Sequence, residues 1–375
     1  MDRPSLRPSA GAILDRRTLN RTLLARQMLL ERVDRPIPEA IDGLVGLQAQ
    51  VPRDPYISLW SRLRGFDPAA LEALILERRA VRMTLMRTTL HLVTAHDATG
   101  LRAVLQDVCE RGFRSSPFRR RLTGVDLDEL VAAGARIAKE RPRTITELGS
   151  LLGERWPDHD RTAMAYAVRY LVPLVQVPPR GLWARSGAPR VATLATWLGL
   201  PGEPVVPAIA PPDEVVLRYL RAFGPATAAD IRTWSWLSGL RPVIERLHPR
   251  LRTYRDQAGR ELLDVEGGMF ADGHAPAPVR FLGEYDNLFL SHADRSRVTG
   301  ELAWGTSFVR RGALFVDGFL AGAWRAADLA GRATLSIEPR IPLAAARDEV
   351  VAEGEALLRF LAPVASSHTV DFVSA

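Results

Sequence analysis

The stretch TITELGSLLGERWPDHDRTAMAYAVRYLVPLVQVPPRGLWA, residues 144–184, decides the fold. Thr144 and Glu147 have the spacing of a capping box, which predicts a short helix through Leu152. After a turn at 157–159, a second helix is predicted from the spacing of its apolar residues Met164, Val168 and Leu171.

The same stretch ends in a pattern typical of a β-ribbon. Residues 175–177 predict a strand, 179–181 a turn and 182–184 the return strand. Helices followed by a two-stranded ribbon are the order of a winged helix-turn-helix unit. The same order recurs elsewhere in the chain.

A second copy of this order follows downstream. A helix is predicted over 213–222, and Thr227 caps the next one. A third helix is predicted over 240–247, and the strands 251–255 and 261–265 predict its wing.

A looser copy precedes the first stretch. Helices are predicted over 15–32, 38–50 and 68–79, and strands over 81–86 and 89–94. An internal repeat of small helical units is a stronger signal than any single motif.

Beyond residue 276 the pattern changes to short apolar strands, with a hairpin signal at Asp317-Gly318 and a closing helix over 343–361. Those strands are predicted over 279–284, 288–290, 308–311, 313–316, 319–324 and 333–339. The sequence thus predicts an α+β fold of three tandem winged helix-turn-helix units with a C-terminal antiparallel β-domain. The predicted divisions are a flexible leader at 1–13, units at 14–135, 136–205 and 206–275, and the β-domain at 276–375.

Bulk properties restrict the class of protein. The chain has 375 residues and a formal net charge of +7, and Lys139 is the single lysine among 50 basic residues. Arginine binds phosphate bidentately, so the charge weakly favours a nucleic acid partner. Cys109 is the only cysteine, which excludes an internal disulfide and favours a reducing cytoplasm. Neither a signal peptide nor an apolar run of transmembrane length is found.

The segment Leu47-Gln48-Ala49-Gln50 places two amide side chains on either side of one small residue. Pro52 follows and prevents the predicted helix from continuing. A solvated last turn would explain these glutamines. The functional interpretation is that both amides project from the helix end into a cleft. An amide can hold a water molecule but is not a strong base.

Two further segments are rich in polar groups. Residues 86–93 predict a strand with Arg87, Thr89 and His91 on one face, either an ordinary surface or a polar wall facing the glutamines. Residues 281–297 include a turn at Tyr285-Asp286-Asn287 and a polar loop from His292 to Arg297. Few loops concentrate so many hydrogen-bonding types.

The remaining signals are weaker. Arg119-Arg120-Arg121 is either a solvated face or a contact to a DNA backbone. Trp234 and Trp236 are expected in the core of the third unit. Motifs for zinc, for nucleotide phosphates and for a nucleophilic serine are absent, and the histidines are scattered. We therefore expect no metal and no cofactor.

Together these segments resemble the AlkZ/YcaQ-type winged-helix DNA glycosylases through nearly the whole chain. The resemblance is carried by Gly46–Gln50 with Pro52–Tyr56, Met86–Leu92, Glu284–Asn287 continuing to Arg295–Arg297, and Val316–Gly318. It implies a C-shaped protein around duplex DNA that excises N7-alkylated purines, with some members unhooking interstrand crosslinks or providing self-resistance to a genotoxic product. The catalytic motif of the AlkZ-like branch is Gln-x-Gln, matched here by Gln48 and Gln50. Ala49 stands where a larger aliphatic residue is usual, and we expect it to reshape the pocket.

The resemblance also implies roles for the other motif residues. Those expected to support the active site are His91, Arg87, Thr89, Tyr285, Asp286 and Asn287. Those expected to contact DNA are Arg53, Arg119, Arg120, Arg121, His292, Arg295 and Arg297. We expect a monomer that acts on double-stranded DNA in the cytoplasm. The competing interpretation is a non-catalytic winged-helix DNA-binding protein, either a transcriptional regulator or a lesion sensor.

Overall fold

The computed structural model describes residues 8–200, 205–302, 310–329 and 331–373, and it is an α+β protein. The helices of at least seven residues are α1 Arg16–Arg26, α2 Ile37–Gly43, α3 Asp54–Trp60, α4 Pro68–Leu76, α5 Ala95–Val104, α6 Gln106–Ser115, α8 Leu127–Glu140, α9 Ile145–Arg155, α10 Arg161–Leu171, α12 Asp213–Phe223, α13 Ala228–Ser235, α14 Leu240–Leu247 and α17 Arg347–Leu361. Shorter helices are α7 Pro117–Arg120, α11 Leu194–Leu198, α15 Asn287–Leu290 and α16 Ser296–Thr299. None of the helices in these ranges is long and apolar enough to cross a bilayer.

The strands form three sheets in the described ranges. They are β1 Ile13–Leu14, β2 Leu47–Gln48, β3 Ala80–Thr84, β4 Leu90–Thr94, β5 Arg143–Thr144, β6 Leu174–Val177, β7 Arg190–Thr193, β8 Leu251–Asp256, β9 Glu261–Val265, β10 Arg280–Leu282, β11 Gly312–Val316, β12 Phe319–Leu329, β13 Arg332–Pro339 and β14 Ser367–Phe372.

A six-stranded sheet of order β2-β4-β3-β6-β7-β5 carries the Gln-x-Gln segment at one edge. Its centre is a junction between two predicted units, because β3 pairs antiparallel with β6 through Arg82 opposite Gln176 and Met83 opposite Val175. One large core lies beneath this junction and extends into α12 and the C-terminal sheet. Burying each large apolar side chain contributes about 1.5–3 kcal/mol, so this shared core holds the predicted units together.

The local signals of the sequence are confirmed where they depend on neighbouring residues. Capping boxes open α9 at Thr144 and α13 at Thr227. The predicted wing is the hairpin of β8 and β9. Strand β1 pairs in parallel with β8, so residues 13 and 14 dock against that hairpin.

Three helices end earlier than the sequence predicts, and the first of them, α4, ends at Leu76 rather than at residue 79. The helix predicted over 38–50 ends at Gly43, because Val45 (φ 54°) and Gly46 (φ 86°) turn the chain through the left-handed region. A side chain at Gly46 would lie 2.7 Å from Val93, so glycine is required there. Helix α1 ends at Arg26 rather than at residue 32, with Met28 in a left-handed turn (φ 56°).

Several predicted strands are wrong. Residues 288–290 belong to α15, which begins because the Asp286 carboxylate accepts from the Leu288 amide. The strand that pairs with β6 is β7, not the predicted return strand 182–184. Trp183 packs against Tyr56 and Phe360 instead of pairing with β6.

The C-terminal sheet has the order β10-β11-β12-β13-β14 and is antiparallel except at its last pair. Strand β14 was not predicted, and it pairs in parallel with β13 after the crossover helix α17. The strand predicted over 308–311 lies mostly outside the described residues, and residue 310 is in a turn. The Asp317-Gly318 hairpin is confirmed.

Candidate active site

The Gln-x-Gln segment lies at a sheet edge rather than at a helix end. Gln48 is the last residue of β2 and stands directly opposite His91 of β4. Ala49 continues the pairing, because its amide donates to the Leu90 carbonyl over 2.7 Å. Gln50 follows at a bend and is exposed, whereas Gln48 is only 6% exposed. The strand pairing, not a helix terminus, therefore sets the two amides.

Ala49 itself faces inward. It is fully buried in a core cluster that includes Tyr56, Leu59 and Leu92. The expectation that Ala49 reshapes an open pocket is therefore corrected, because its side chain is part of the interior and not of a cleft wall.

Arg87 orients the Gln48 amide. Its Nη2 donates to Gln48 Oε1 over 2.7 Å, and its Nη1 donates to the Trp234 carbonyl. A guanidinium has no acceptor, so the oxygen of Gln48 must face it, and this fixes the amide orientation. No other hydrogen bond to the Gln48 side chain is found among the described residues, so one lone pair of that oxygen and both amide hydrogens stay available.

The backbone around Arg87 is strained. Arg87 (φ 54°) and Thr88 (φ 56°) are both left-handed, in a 3-10 turn over Met86–Thr88 rather than in the predicted strand. Such conformations each cost about 1–3 kcal/mol and persist only where the surroundings hold them. Thr89 closes the turn with its hydroxyl on the Met86 carbonyl. Strain at this position is what one expects of a functional site.

His91 is held neutral. Burial, and then the nearby charge of Arg87, lower the pKa of His91 to about 3. Its Nδ1 lies 3.0 Å from the Thr89 carbonyl and must carry the hydrogen, because a carbonyl only accepts. Nε2 is then an acceptor, 3.4 Å from the Arg87 Nη2. Neutral His91 is therefore an uncharged neighbour of Gln48.

A second arginine adds positive charge beside Arg87. Burial, and then the charge of Arg295, lower the pKa of Arg87 to about 10, so it stays charged at neutral pH. Arg295 is half-buried, and no carboxylate pairs with either guanidinium among the described residues. Two unneutralised cations in one place form an anion site by electrostatics.

Gln50 is fixed by a different donor. Its Oε1 accepts from the Leu90 amide at 3.3 Å, which leaves its amide nitrogen exposed. Gln50 also lines a cleft of about 160 Å³, here called the Gln50 cleft. That cleft is lined by Gln50, Arg82, Thr84, Leu90, Ile145, Arg169, Leu174, Gln176, Arg180, Pro189 and Val191. A larger cavity of about 590 Å³ between α5, α8 and α11 contains none of the predicted site residues.

The predicted turn residues at 285–287 support the site from beneath. Asn287 donates through Nδ2 to the Gly46 carbonyl at 2.7 Å and to the Leu44 carbonyl at 3.3 Å. It thereby holds the turn that leads into Gln48. Asp286 forms a fully buried bidentate pair with Arg62, at 2.8 Å for each bond. Both side chains make their hydrogen bonds to groups inside the fold, so we assign them a structural role.

Tyr285 connects the same turn to an unusual carboxyl group. Its backbone amide donates to Asp54 Oδ2 at 3.1 Å. Burial, opposed in part by the Tyr285 hydrogen bond and reinforced by Glu284 and Asp286, raises the pKa of Asp54 to about 7. Asp54 opens α3 directly after the Gln-x-Gln segment, and its sequence context gave no sign of this.

The predicted DNA contacts fall into two groups. Arg53 is exposed, with its guanidinium 5.6 Å from the Trp183 ring centroid. Arg120 is exposed, Arg119 is partly buried, and Arg121 pairs with Asp160 at 3.2 Å. With Arg295, these arginines have at least part of their surface open to a DNA backbone.

His292 and Arg297 form the second group, and their predicted role as DNA contacts is corrected. His292 is 2% exposed, and its ring nitrogens bond to the Ser291 hydroxyl and the Phe223 carbonyl. Burial lowers the pKa of His292, so it is neutral. Arg297 is 8% exposed and donates to the Pro225 carbonyl at 2.9 Å. Both side chains are structural rather than phosphate contacts.

The sequence interpretation missed Arg82, which connects the sheet to the Gln-x-Gln segment. Its Nη2 donates to the Ala49 carbonyl at 2.7 Å and its Nη1 to the Arg180 carbonyl at 3.1 Å. The one available signal was an arginine inside an otherwise apolar strand, AVRMT. Trp236, expected in the core, is 46% exposed, whereas Trp234 is buried as predicted.

The site offers amide dipoles and cations but no strong base of ordinary pKa beside the glutamines. No group of three or more histidine, cysteine or carboxylate side chains suited to a metal is found among the described residues. The arrangement can position a water molecule between oriented amides and stabilise charge by preorganised dipoles.

A protein family described as "DNA glycosylase AlkZ-like" matches residues 41–360. The solved structure of the Streptomyces sahachiroi DNA glycosylase AlkZ is similar in fold, with a TM-score of 0.70 at 21% sequence identity, covering 96% of this chain and 100% of that chain. No curated protein matches the sequence.

Proposed function

This chain belongs to the AlkZ-like DNA glycosylase family, and from that premise we propose that it hydrolyses the N-glycosidic bond of N7-alkylated purines in duplex DNA. The observation that carries the proposal is the Gln48–Arg87 hydrogen bond of 2.7 Å beside a neutral His91. An amide held by a cation, in a site without a strong acid or base, fits a leaving group that already carries a positive charge and needs no protonation.

The chemistry of the lesion explains why two amides are sufficient. Alkylation at N7 puts a positive charge on the purine, so the C1′–N9 bond breaks with its electron pair neutralising the departing base. Water then bonds to C1′, and its proton passes to solvent. Charge builds on the sugar in the transition state, where oriented dipoles stabilise it. An unmodified guanine leaves as an anion and should survive.

The residues take the following roles in this proposal. Gln48 and Gln50 orient the water molecule and face the sugar cation with their free lone pairs. Arg87 positions the Gln48 amide, and Arg87 with Arg295 binds the phosphate beside the lesion, which cancels their positive charge near the cation. Arg53 and the cluster Arg119–Arg121 contact more distant phosphates.

The proposal extends to the overall architecture and to the class of DNA lesion. Three winged-helix units and the C-terminal sheet would form a C-shaped monomer around the duplex. At an open sheet edge, a water molecule can attack the sugar without the protein enclosing the base. Bulky N7 adducts are hard to enclose in a tight pocket. Bulky natural-product adducts and interstrand crosslinks are therefore the proposed substrates. The protein would act on nucleoid DNA in the cytoplasm, in repair or in self-resistance.

Single-turnover excision on a duplex with one N7-methylguanine tests the proposal. Alkali-labile abasic sites should form, and Gln48→Ala or Gln50→Ala should slow their formation about 100-fold or more while the duplex affinity changes little. An unmodified duplex of the same sequence is the control. Binding without excision of either the methylated or a bulky N7 adduct would overturn the proposal and favour a lesion sensor.

A further inference from the structure

The Gln50 cleft has no assigned role, and its walls come from one face of the six-stranded sheet. Thr84 lies opposite Leu90, Arg82 opposite Gln176, and Gln176 opposite Val191. Residues directly across a pair of strands share a face. The cleft therefore lies where the β3–β4 pair joins the β6–β7 pair, with Gln50 at its edge.

Three arginines converge on this cleft without a carboxylate. Arg82 comes from β3, Arg169 from α10 and Arg180 from the turn after β6. None of the three forms an ion pair within the ranges that the structure describes. Burial, and then the charge of Arg180, lower the pKa of Arg82 to about 10, which leaves it charged. The cleft therefore concentrates positive charge that nothing in the described chain neutralises.

Two buried polar atoms at this cleft have no hydrogen-bond partner among the described residues. Arg82 is 2% exposed, and its Nε has no acceptor among the described residues. The buried Oε1 of Gln176 likewise has no partner. Rotation of that amide would present its nitrogen as a donor, since the two orientations are set only by hydrogen bonding. Leaving a buried donor unsatisfied is costly, so Arg82 Nε requires an acceptor from outside the chain, either a water molecule or a bound ligand.

Close packing keeps Arg82 in place. A Cβ at Gly181 (φ 98°) would lie 2.2 Å from Arg82 Nη1, so only glycine allows the wing turn to approach the guanidinium. The volume of about 160 Å³ holds a few water molecules, at about 30 Å³ each, or one phosphate group. The site is thus preformed and of suitable size.

We propose that the Gln50 cleft binds one backbone phosphodiester of the DNA substrate, on the opposite side of the Gln-x-Gln segment from Arg87 and Arg295. The inference rests on the proposed function for its substrate strand, but it concerns binding alone. Gln50 at the cleft edge would then be fixed relative to that phosphate, and Arg82 would couple the phosphate to the Ala49 carbonyl between the two glutamines. Sugar and water would be aligned by phosphates held on both sides.

The test uses the full-length protein and a duplex with one tetrahydrofuran abasic analogue, which needs no excision. Affinity is measured against NaCl concentration for Arg169→Gln and Arg180→Gln, both at partly exposed positions. We expect each change to weaken binding about tenfold and to reduce the slope of log K against log salt by about 1. Arg325→Gln, at an exposed arginine on the C-terminal sheet, is the matched control.

Single methylphosphonate substitutions around the analogue identify the phosphate. At one position, removing the charge should weaken the wild type but not the Arg169→Gln/Arg180→Gln double variant. Additive losses at every position, or variant slopes equal to that of Arg325→Gln, would overturn the inference. Because the ligand is an abasic analogue, a failure to excise N7-methylguanine would affect only the proposed function.

Discussion

Arg87 Nη2 lies 2.7 Å from Gln48 Oε1, and the same guanidinium reaches the Trp234 carbonyl. One side chain thus joins the Gln-x-Gln segment to the end of α13. The first prediction follows from this bridge. Arg87→Ala should slow excision about tenfold or more, because the Gln48 amide loses the donor that orients it.

A double-mutant cycle separates positioning from a general effect of charge. Arg87→Ala and Gln48→Ala together should be little worse than Gln48→Ala alone in single-turnover excision. Arg111→Ala is the matched control, because Arg111 donates to the Trp236 carbonyl at 2.7 Å without touching Gln48. Fully additive losses in the cycle would show that Arg87 acts independently of the amide.

Elements with local signals were predictable from the sequence, whereas the site depends on distant pairing. Thr144 and Thr227 cap helices through residues three positions away, and both capping boxes are present. Gln48 belongs to a strand only because β4, more than forty residues away, supplies the partner His91. A helix pattern in residues 38–50 could not reveal that contact.

Burial was also invisible in the sequence. The polar loop containing His292 and Arg297 has the composition of a surface, yet both side chains satisfy carbonyls inside the fold. The Gln50 cleft needs Arg82, Arg169 and Arg180 from three separate elements. Periodicity places each residue on its own element but does not tell which elements meet.

The second prediction concerns acid stability. His91 has a pKa of about 3 in the fold because it is buried, against about 6.5 when unfolded. Below pH 6.5 the unfolded chain takes up a proton and the fold does not, so the stability present above pH 6.5 is lost as the pH falls towards 3. Between pH 6.5 and 5 the free energy of unfolding should fall by about 2 kcal/mol from this group.

Urea unfolding at several pH values measures the effect. His91→Asn should unfold with a shallower pH dependence over this range, although it is less stable at pH 8. A parallel His96→Asn variant, at an exposed position, is the control. Identical pH slopes for the wild type and His91→Asn would show that His91 is already protonated in the fold.

The third prediction concerns the turn before Gln48. Asn287→Ala leaves the Gly46 and Leu44 carbonyls without their donor and should cost about 1–3 kcal/mol in the free energy of unfolding. Asn287→Asp should cost more, because an ionised carboxylate cannot donate and would face two carbonyl oxygens. Chemical denaturation ranks the two variants, and the reverse order would contradict this hydrogen-bond assignment.

Ala49 provides the fourth prediction. Because its side chain is fully buried beside Tyr56 and Leu92, Ala49→Leu should overpack the core and lower the free energy of unfolding by about 1–3 kcal/mol. Ala70→Leu, at an exposed position of α4, should change it little. If Ala49→Leu kept full stability and instead altered which adducts are excised, position 49 would have to face the substrate.

The last prediction concerns Asp54, whose pKa is raised to about 7 by burial. An unfolded aspartate ionises near pH 3.9, so the stability from this group is complete below that pH and is lost as the pH rises to 7. Asp54→Asn removes the ionisation and can still accept from the Tyr285 amide. It should therefore stabilise the fold by on the order of 3 kcal/mol at pH 8 and by clearly less at pH 5. Thermal unfolding at both pH values, with the exposed Asp328→Asn as control, measures the difference. A stabilisation independent of pH would mean that Asp54 ionises normally and that its burial is relieved by neighbouring donors.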